Sequence, residues 1–281
     1  MDRNFAVFIL SHGRAGKVYT FDTLRKQGYT GKIYIIIDNE DEQESEYKKR
    51  FKNVIVFDKK KYAEITDTAD NLTARNVVVF ARNACWDIAE KIGLTHFLVL
   101  DDDYTNFEYR YPEGEKLKTK KMMKLDGAFE KVLDFLDVSG AVTVALAQGR
   151  DFIGGVNNKL FKEGVARKAM NSFFCRTDRP FEFYGRINED TTAYIVNGNR
   201  GQLFFTVANL SLHQIETQSN SGGLTEMYLE LGTYVKSFYT VMYHPSGVDI
   251  RFMGNKHMRL HHSVHWNNCV PCIVPEKYKK T

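Results

Sequence analysis

The sequence predicts an α/β fold with a doubly wound, nucleotide-binding sheet, and three observations lead to it. Short, continuous apolar runs recur at Phe5–Leu10, Lys32–Ile37, Val54–Phe57 and His96–Leu100. A run that is continuous rather than alternating reads as a strand covered on both faces. Between these runs the chain can form helices. Finally, the runs empty into polar loops or acids: Ser11-His12-Gly13-Arg14, Asp38, Asp58 and Asp101-Asp102-Asp103. In open α/β sheets, ligands bind in the crevice beyond the carboxyl ends of the strands.

The elements follow in order. Phe5–Leu10 opens the sheet, and Val18–Gln27 forms a helix that Gly28 suits as a terminator. Lys32–Ile37 is the second strand. Asn39–Arg50 is so charged that it predicts a solvated helix, and Val54–Phe57 is the third strand. From Asn76 to Ile92, apolar Val79, Phe80, Cys85, Trp86, Ile88 and Ala89 recur at helical spacing until Gly93. Tyr104–Lys121 predicts a loop or hairpin, Asp126–Leu136 a helix, and Gly140–Ala147 a buried strand. Asn171–Arg176 and Leu203–Val207 read as strands, His213–Gly223 as a polar loop whose Gly222 and Gly223 suit either a lid or a plain surface loop, Thr225–Val235 as a helix and Ser237–Tyr243 as a strand. The tail Lys277–Thr281 is charged and expected to fray.

Composition narrows the classes. The chain has 281 residues, 43% hydrophobic and 26% charged, as globular domains do. A net charge of +4 permits nucleic-acid contact without signalling it, so any such contact needs a local patch. Four cysteines are too few for a disulfide scaffold in a chain this long. No apolar run approaches the roughly 20 residues a bilayer requires, and the first ten residues read as a strand rather than a signal peptide. A reducing cytoplasm, with no membrane, is the expectation. Nothing in the sequence speaks to oligomeric state.

Asp101-Asp102-Asp103 is the centre of the functional reading. In an extended chain Asp101 and Asp103 share a side. Two crowded carboxylates repel unless a cation joins them, so a divalent metal with a phosphate-bearing partner is implied. The competing reading is a solvated acidic turn. The Ser11–Lys17 loop lacks P-loop spacing, yet Ser11, His12 and Arg14 could meet a phosphate or base. Tyr104–Lys121 interleaves aromatic and basic residues, which suits nucleic acid; Arg110, Lys116 and Lys120 are the candidates there. Arg150 follows in a glycine-containing loop. Glu189-Asp190 offers a general base, with Asp190 first and Glu189 its neighbour. Asp190 could equally cap a helix starting at Thr191.

Ala81-Arg82-Asn83-Ala84, the strand ending in Asp101-Asp102-Asp103, and Arg186-Ile187-Asn188-Glu189-Asp190-Thr191 together resemble GT-A-fold glycosyltransferases of the family 2 type. The tail Arg259-Leu260-His261-His262-Ser263-Val264-His265-Trp266 and the chain length resemble the phage TET/JBP-associated glycosyltransferases. The resemblance implies a single GT-A-like domain over 1–281. A Rossmann-type nucleotide-sugar-binding half would cover about 1–103 and an acceptor half about 104–281. It implies Asp38, Arg82 and Asp101 near the donor, a UDP-sugar, with Asp102 beside them. Asp103 would ligate Mn²⁺ or Mg²⁺, with Asp101 and a histidine, His262 or His261, completing the set. The acceptor would be a hydroxymethylated pyrimidine in DNA, with Trp266 on its side and a host-cytoplasmic location.

Other readings stay open. His261, His265, Cys269 and Cys272 have a spacing that zinc permits. A glycan or protein acceptor keeps the same chemistry. A nucleotidyltransferase would use the same carboxylates and release pyrophosphate instead of a nucleoside diphosphate. A non-catalytic DNA-binding module would leave the acids without work.

Overall fold

The run His96–Asp101 forms the middle of a mixed sheet, flanked by helices on both faces. The computed structural model describes residues 3–73, 75–152, 154–215, 235–254 and 258–269. The sheet's strands are β1 (Phe5–Leu10), β2 (Lys32–Asp38), β3 (Val54–Phe57), β4 (His96–Asp101), β5 (Tyr104–Glu113), β6 (Lys116–Lys121), β7 (Thr143–Gln148), β8 (Val165–Ala166), β9 (Ser172–Arg176) and β10 (Phe204–Gln214). Their order is β3-β2-β1-β4-β9-β7-β10-β5-β6, with β8 also paired to β10. The first four are parallel. Beyond them β9 runs antiparallel to both β4 and β7, and β5 antiparallel to β10 and β6.

Strand alternation explains the two layers. Val7, Ile9, Leu98 and Leu100 face one core with Leu24 of α1 (Tyr19–Lys26) and Phe129 and Leu133 of α5 (Leu125–Ser139). Ala6, Phe8, Phe97 and Val99 face the other, with Phe80 and Trp86 of α4 (Val79–Lys91) and Ala193 and Ile195 of α7 (Glu189–Asn199). Each fully buried Leu, Val or Phe of β4 contributes about 1.5–3 kcal/mol, which fixes the register that aims its acids out of the sheet. Gly28, at φ +85°, passes so close to the Met123 carbonyl that a Cβ would sit 2.6 Å from it.

The remaining helices are α2 (Glu44–Arg50), α3 (Lys59–Ile65), α6 (Lys159–Glu163), α8 (Val235–Tyr243) and α9 (Trp266–Cys269). A separate ribbon pairs β11 (Val248–Met253) with β12 (Arg259–Val264). The solvated helix predicted from Asn39 starts only at Glu44. Asp38 and Asp41 instead accept from the backbone N–H groups of Glu40 and Gln43, which forms turns.

Three expectations need correction. Ser237–Tyr243 is helix, not strand. Ser237, Tyr239 and Thr240 are buried while Phe238 and Met242 are exposed, the spacing of one helix face. The strand expected at Leu203–Val207 continues to Gln214, through residues assigned to a loop. Asp190 does not precede its helix, because α7 begins at Glu189 with Asn188 before it at φ 57°. The lid glycines Gly222 and Gly223, the helix expected from Thr225, His257, Cys272 and the tail lie outside the described residues.

Candidate active site

The carboxyl ends of β1, β2 and β4 bring Ser11, Asp38 and the three aspartates to one edge. Asp102 is the most enclosed of the acids. Ser11 Oγ donates to its Oδ2 at 2.6 Å and Arg14 Nη1 to its Oδ1 at 3.1 Å. Burial raises its carboxyl, and Asp101 adds to that, against the pull of Ser11 and Arg14. Asp102, Ser11 and Arg14, all predicted to meet the donor, thus hold each other and fix the loop after β1.

That loop has further supports. Tyr47 OH bonds Ser11 Oγ at 2.7 Å and accepts from Arg14 N at 2.8 Å. Gln43 bridges Ala15 N and Gly13 O, and Asp41 accepts from Gly13 N. Sequence reasoning missed these three residues. The available signal was Tyr47, a lone aromatic in the charged run Glu44–Arg50. Beside the loop, His12 Nδ1 lies 2.7 Å from Asp38 Oδ2, and buried Lys59 reaches Asp38 Oδ1 at 3.1 Å. Burial alone would raise the Asp38 carboxyl. His12 and Lys59 outweigh it, so Asp38 stays charged, and its hydrogen bond raises His12.

Asp103 has a different environment. Its Oδ1 is buried without a hydrogen-bond partner among the described residues. Burial first, then the Asp101 and Asp102 charges, push its carboxyl up to about 7. Asp101 is the more open, and Tyr104 OH donates to its Oδ2 at 3.2 Å. Tyr104 is held in turn by the Asn171 carbonyl, at a residue with φ 60°.

Arg82 is buried against the acids after β4. It is 3% exposed, with its guanidinium over the rings of Phe173 (4.9 Å) and Phe183 (5.5 Å). Its Nη2 lies 3.4 Å from Asp101 and 3.3 Å from Glu189 Oε1. The guanidinium therefore joins the acids after β4 to the acids opening α7. Glu189 and Asp190 are both buried, and burial raises both carboxyls more than Arg82 lowers them. Glu189 is held by Arg82, and Asp190 Oδ1 accepts from the Thr191 backbone N–H and hydroxyl. A carboxylate raised by burial, with Arg82 and Lys236 acting against that rise, is suited to take a proton.

Asn83, the partner of Arg82 in the motif, positions the chain leading to α7. Its Nδ2 donates to the Phe183 carbonyl at 3.0 Å and its Oδ1 accepts from Phe183 N at 2.9 Å. Asn83→Ala leaves two backbone groups unpaired and should cost about 1–3 kcal/mol. It should lower kcat more than donor affinity. Chemical denaturation and donor titration check this; an unchanged kcat would show that the Phe183 segment does not place Asp190. Further on, Arg186 is tied to Asp70, which also accepts from Tyr239 OH at 2.5 Å.

The carboxy-terminal candidates lie on the β11–β12 ribbon and beside α7. His262 stands 3.4 Å from Asn188 Nδ2, and burial, His261 and Lys236 push it down to about 4. His261 Nδ1 is engaged by the His262 carbonyl. His265 pairs with Asp249 and Cys269 Sγ with the Gly247 carbonyl, so these three members of the zinc pattern have other partners. Among the described residues no three or more His, Cys, Asp or Glu side chains gather as a cation site. Trp266 stacks on Tyr194 of α7 at 5.6 Å. Lys116 and Lys120 are exposed on β6, Arg110 lies on β5, and Arg150 lies in the 3₁₀ turn Gly149–Phe152, its side chain outside the described residues. No described helix is long and apolar enough to cross a membrane.

Comparisons with known proteins follow this geometry. Among solved structures, glucosyl-3-phosphoglycerate synthase from Mycobacterium tuberculosis, with Mn²⁺, UDP-glucose and phosphoglyceric acid, is similar at TM-score 0.48 and 9% identity, over 92% of this chain and 87% of that one. TarS 1–349 of S. aureus gives TM-score 0.40 and 14% identity, over 74% of this chain and 59% of that one. CMP:2-keto-3-deoxy-manno-octonic acid synthetase with CTP gives 0.40 and 8%, over 76% and 93%. No curated protein matches the sequence. The model of the TET-associated glycosyltransferase family matches residues 5–223, from β1 past the end of β10. With its acids placed on both sides of Arg82, the chain belongs to the TET-associated glycosyltransferase family and is a glycosyltransferase.

Proposed function

We propose that the protein transfers a sugar from a nucleotide-sugar, a UDP-sugar, to the hydroxyl of a hydroxymethylated pyrimidine in DNA, with Mn²⁺ or Mg²⁺ bound. The observation that carries the reading is Asp103. An acid whose buried oxygen has no partner among the described residues, crowded by two further acids, is a place prepared for positive charge. Hard oxygen donors suit Mg²⁺ and Mn²⁺, and phosphates of the donor would fill the remaining positions. Asp103 and Asp101 would hold the ion; when bound, it offsets the charge that develops on the leaving diphosphate. No histidine is assigned to it.

The chain's own residues do the rest. Asp38, kept charged by Lys59 and His12, sits at the end of β2, where the base or ribose of a nucleotide would lie. The loop after β1 is fixed in advance by Asp102, Asp41, Gln43 and Tyr47, so little ordering is lost on binding. Asp190 takes the proton from the acceptor hydroxyl as its oxygen bonds the anomeric carbon. The anomeric carbon–phosphate oxygen bond breaks, and the nucleoside diphosphate leaves. Arg82 holds Glu189 beside it, so that the two buried acids of α7 are not both uncompensated.

A duplex base must be flipped out or exposed for its hydroxyl to reach the donor. The test is incubation with hydroxymethyl-pyrimidine DNA, a panel of nucleotide sugars and Mn²⁺, read by nucleoside mass. A hexose or pentose increment with release of nucleoside diphosphate is the expected result. Transfer only to a glycan or protein would overturn the DNA acceptor; release of pyrophosphate would overturn glycosyl transfer.

A further inference from the structure

Strands β5 and β10 carry a row of polar side chains that the donor chemistry leaves unused. Leu210, Leu212 and Phe107 enter the core that α1 and α5 cover. Alternation therefore sends Ser211, His213, Asn106, Glu108 and Arg110 to the opposite face, the one on which α7 carries Glu189 and Asp190. Register confirms the grouping: Ser211 pairs with Glu108 and His213 with Asn106. The row starts three residues after Asp103. It extends four residues along β5, about 13 Å at strand rise.

The side chains are tied into one array. His213 Nε2 lies 2.9 Å from Glu108 Oε2, and Asn106 Nδ2 donates to Glu108 Oε1 at 2.6 Å. The carboxylate fixes which way the Asn106 amide points. It leaves Asn106 Oδ1 as an acceptor, and that atom is buried without a partner among the described residues. An acceptor of this kind is costly unless a ligand supplies an N–H or O–H. At the far end Arg110 Nε donates to Ser211 Oγ at 3.0 Å and the guanidinium lies 4.0 Å from the Phe152 ring. Held flat, it lines a cavity of about 580 Å³ together with Lys116, Lys118, Gly149, Phe152 and Glu115.

We propose that this row is the subsite for the acceptor strand. A nucleotide places a donor group of its base or sugar on Asn106 Oδ1, and a neighbouring phosphate sits on Arg110. The proposal rests on the DNA-acceptor reading above. Arg110 is the cation of the subsite, because Lys118 is paired with Glu113 at 3.4 Å and Lys116 and Lys118 stand opposite Glu113 and Tyr111 on the other face of the hairpin. A guanidinium in that place suits a phosphate. The aromatic residues of the same hairpin, Tyr109 and Tyr111, lie on the opposite face of β5 and are not part of the subsite.

Binding of a hydroxymethyl-pyrimidine oligonucleotide, followed by anisotropy, tests this beside calorimetric binding of UDP with Mn²⁺. Arg110→Ala and Asn106→Ala should each weaken the oligonucleotide at least tenfold and leave UDP affinity unchanged. Arg110→Ala should also reduce the salt slope of binding by about one. Glu108→Gln keeps the shape of the array and guards against unfolding; it should weaken the oligonucleotide too, by releasing the Asn106 amide. The pair Tyr109→Ala and Tyr111→Ala should stay within twofold of the unaltered protein. Oligonucleotide affinity retained in the row variants, or lost only in the tyrosine pair, overturns the subsite while the DNA acceptor stands. An unaltered protein that neither binds nor glycosylates the oligonucleotide overturns both.

Discussion

Asp103→Asn should inactivate the enzyme and, without divalent cation, stabilise it. The activity loss follows from its place: its carboxylate is one of two proposed to hold the ion on the donor diphosphate. Losing one preorganised charge at the centre of developing charge costs on the order of 10²–10³-fold in kcat. Calorimetry should show Mn²⁺ no longer binding tightly with UDP present. The stability gain follows from electrostatics. Burial, with Asp101 and Asp102, makes the charged form of Asp103 unfavourable in the fold. Asparagine removes that charge at nearly constant shape.

The same residue sets a pH signature with a definite sign. The Asp103 carboxyl is near 3.8 when exposed and about 7 in the fold. Between those values the folded state holds a proton that the unfolded state has lost. Stability from this group is therefore complete below about 3.8 and declines as pH rises through 7. A cation takes the proton's place, so Mn²⁺ should raise the melting temperature more at pH 8 than at pH 5.5, and Asp103→Asn should flatten that difference. An equal Mn²⁺ effect at both pH values in the unaltered protein would exclude Asp103 as the ligand that matters.

The parallel first half of the sheet was legible because its signals are local. Four apolar runs that end in a polar loop or an acid can be only a few kinds of strand, and their parallel order follows from the helices between them. Asp101, Asp103, Glu189 and Asp190 were legible as acids in a pattern. What they touch was not. Arg82 reads from the motif as a donor-side residue, but nothing local announces that its guanidinium lies over Phe173 and Phe183, ninety residues and more downstream. Ser237–Tyr243 misled for a similar reason. Its β-branched and aromatic residues favour a strand, but helix α8 is held by distant partners. Tyr239 reaches Asp70, Tyr243 reaches the Asp67 carbonyl, and Ser237 the Leu260 carbonyl. No spacing within seven residues encodes those bonds. The row on β5 and β10 is hidden in the sequence because His213 opens a polar, glycine-containing stretch that reads as a loop, whereas β10 runs on to Gln214 and keeps its alternation with Ser211.

Arg82→Met should give the largest loss of stability of any single change in the site. The side chain is buried, its Nη2 serves Asp101 and Glu189 at once, and Asp190 also feels its charge. Methionine fills most of the volume and keeps contact with Phe173 and Phe183, so the cost isolates charge. Removing one partner of a buried ion pair costs about 3–5 kcal/mol, because the other charge stays buried and unpaired. For a chain of this size that is a fall in melting temperature of roughly 10 °C. The loss should deepen as pH rises, since Glu189 and Asp190 can escape only by staying protonated. Adding Glu189→Gln to Arg82→Met should recover part of the stability, and the double-mutant cycle measures the coupling directly. Activity should not return with it. Asp190 would still be buried without Arg82, and its carboxyl would sit too high to accept the acceptor's proton near neutrality. An Arg82→Met protein within 1 kcal/mol of the unaltered one would mean that water, not Arg82, balances these acids.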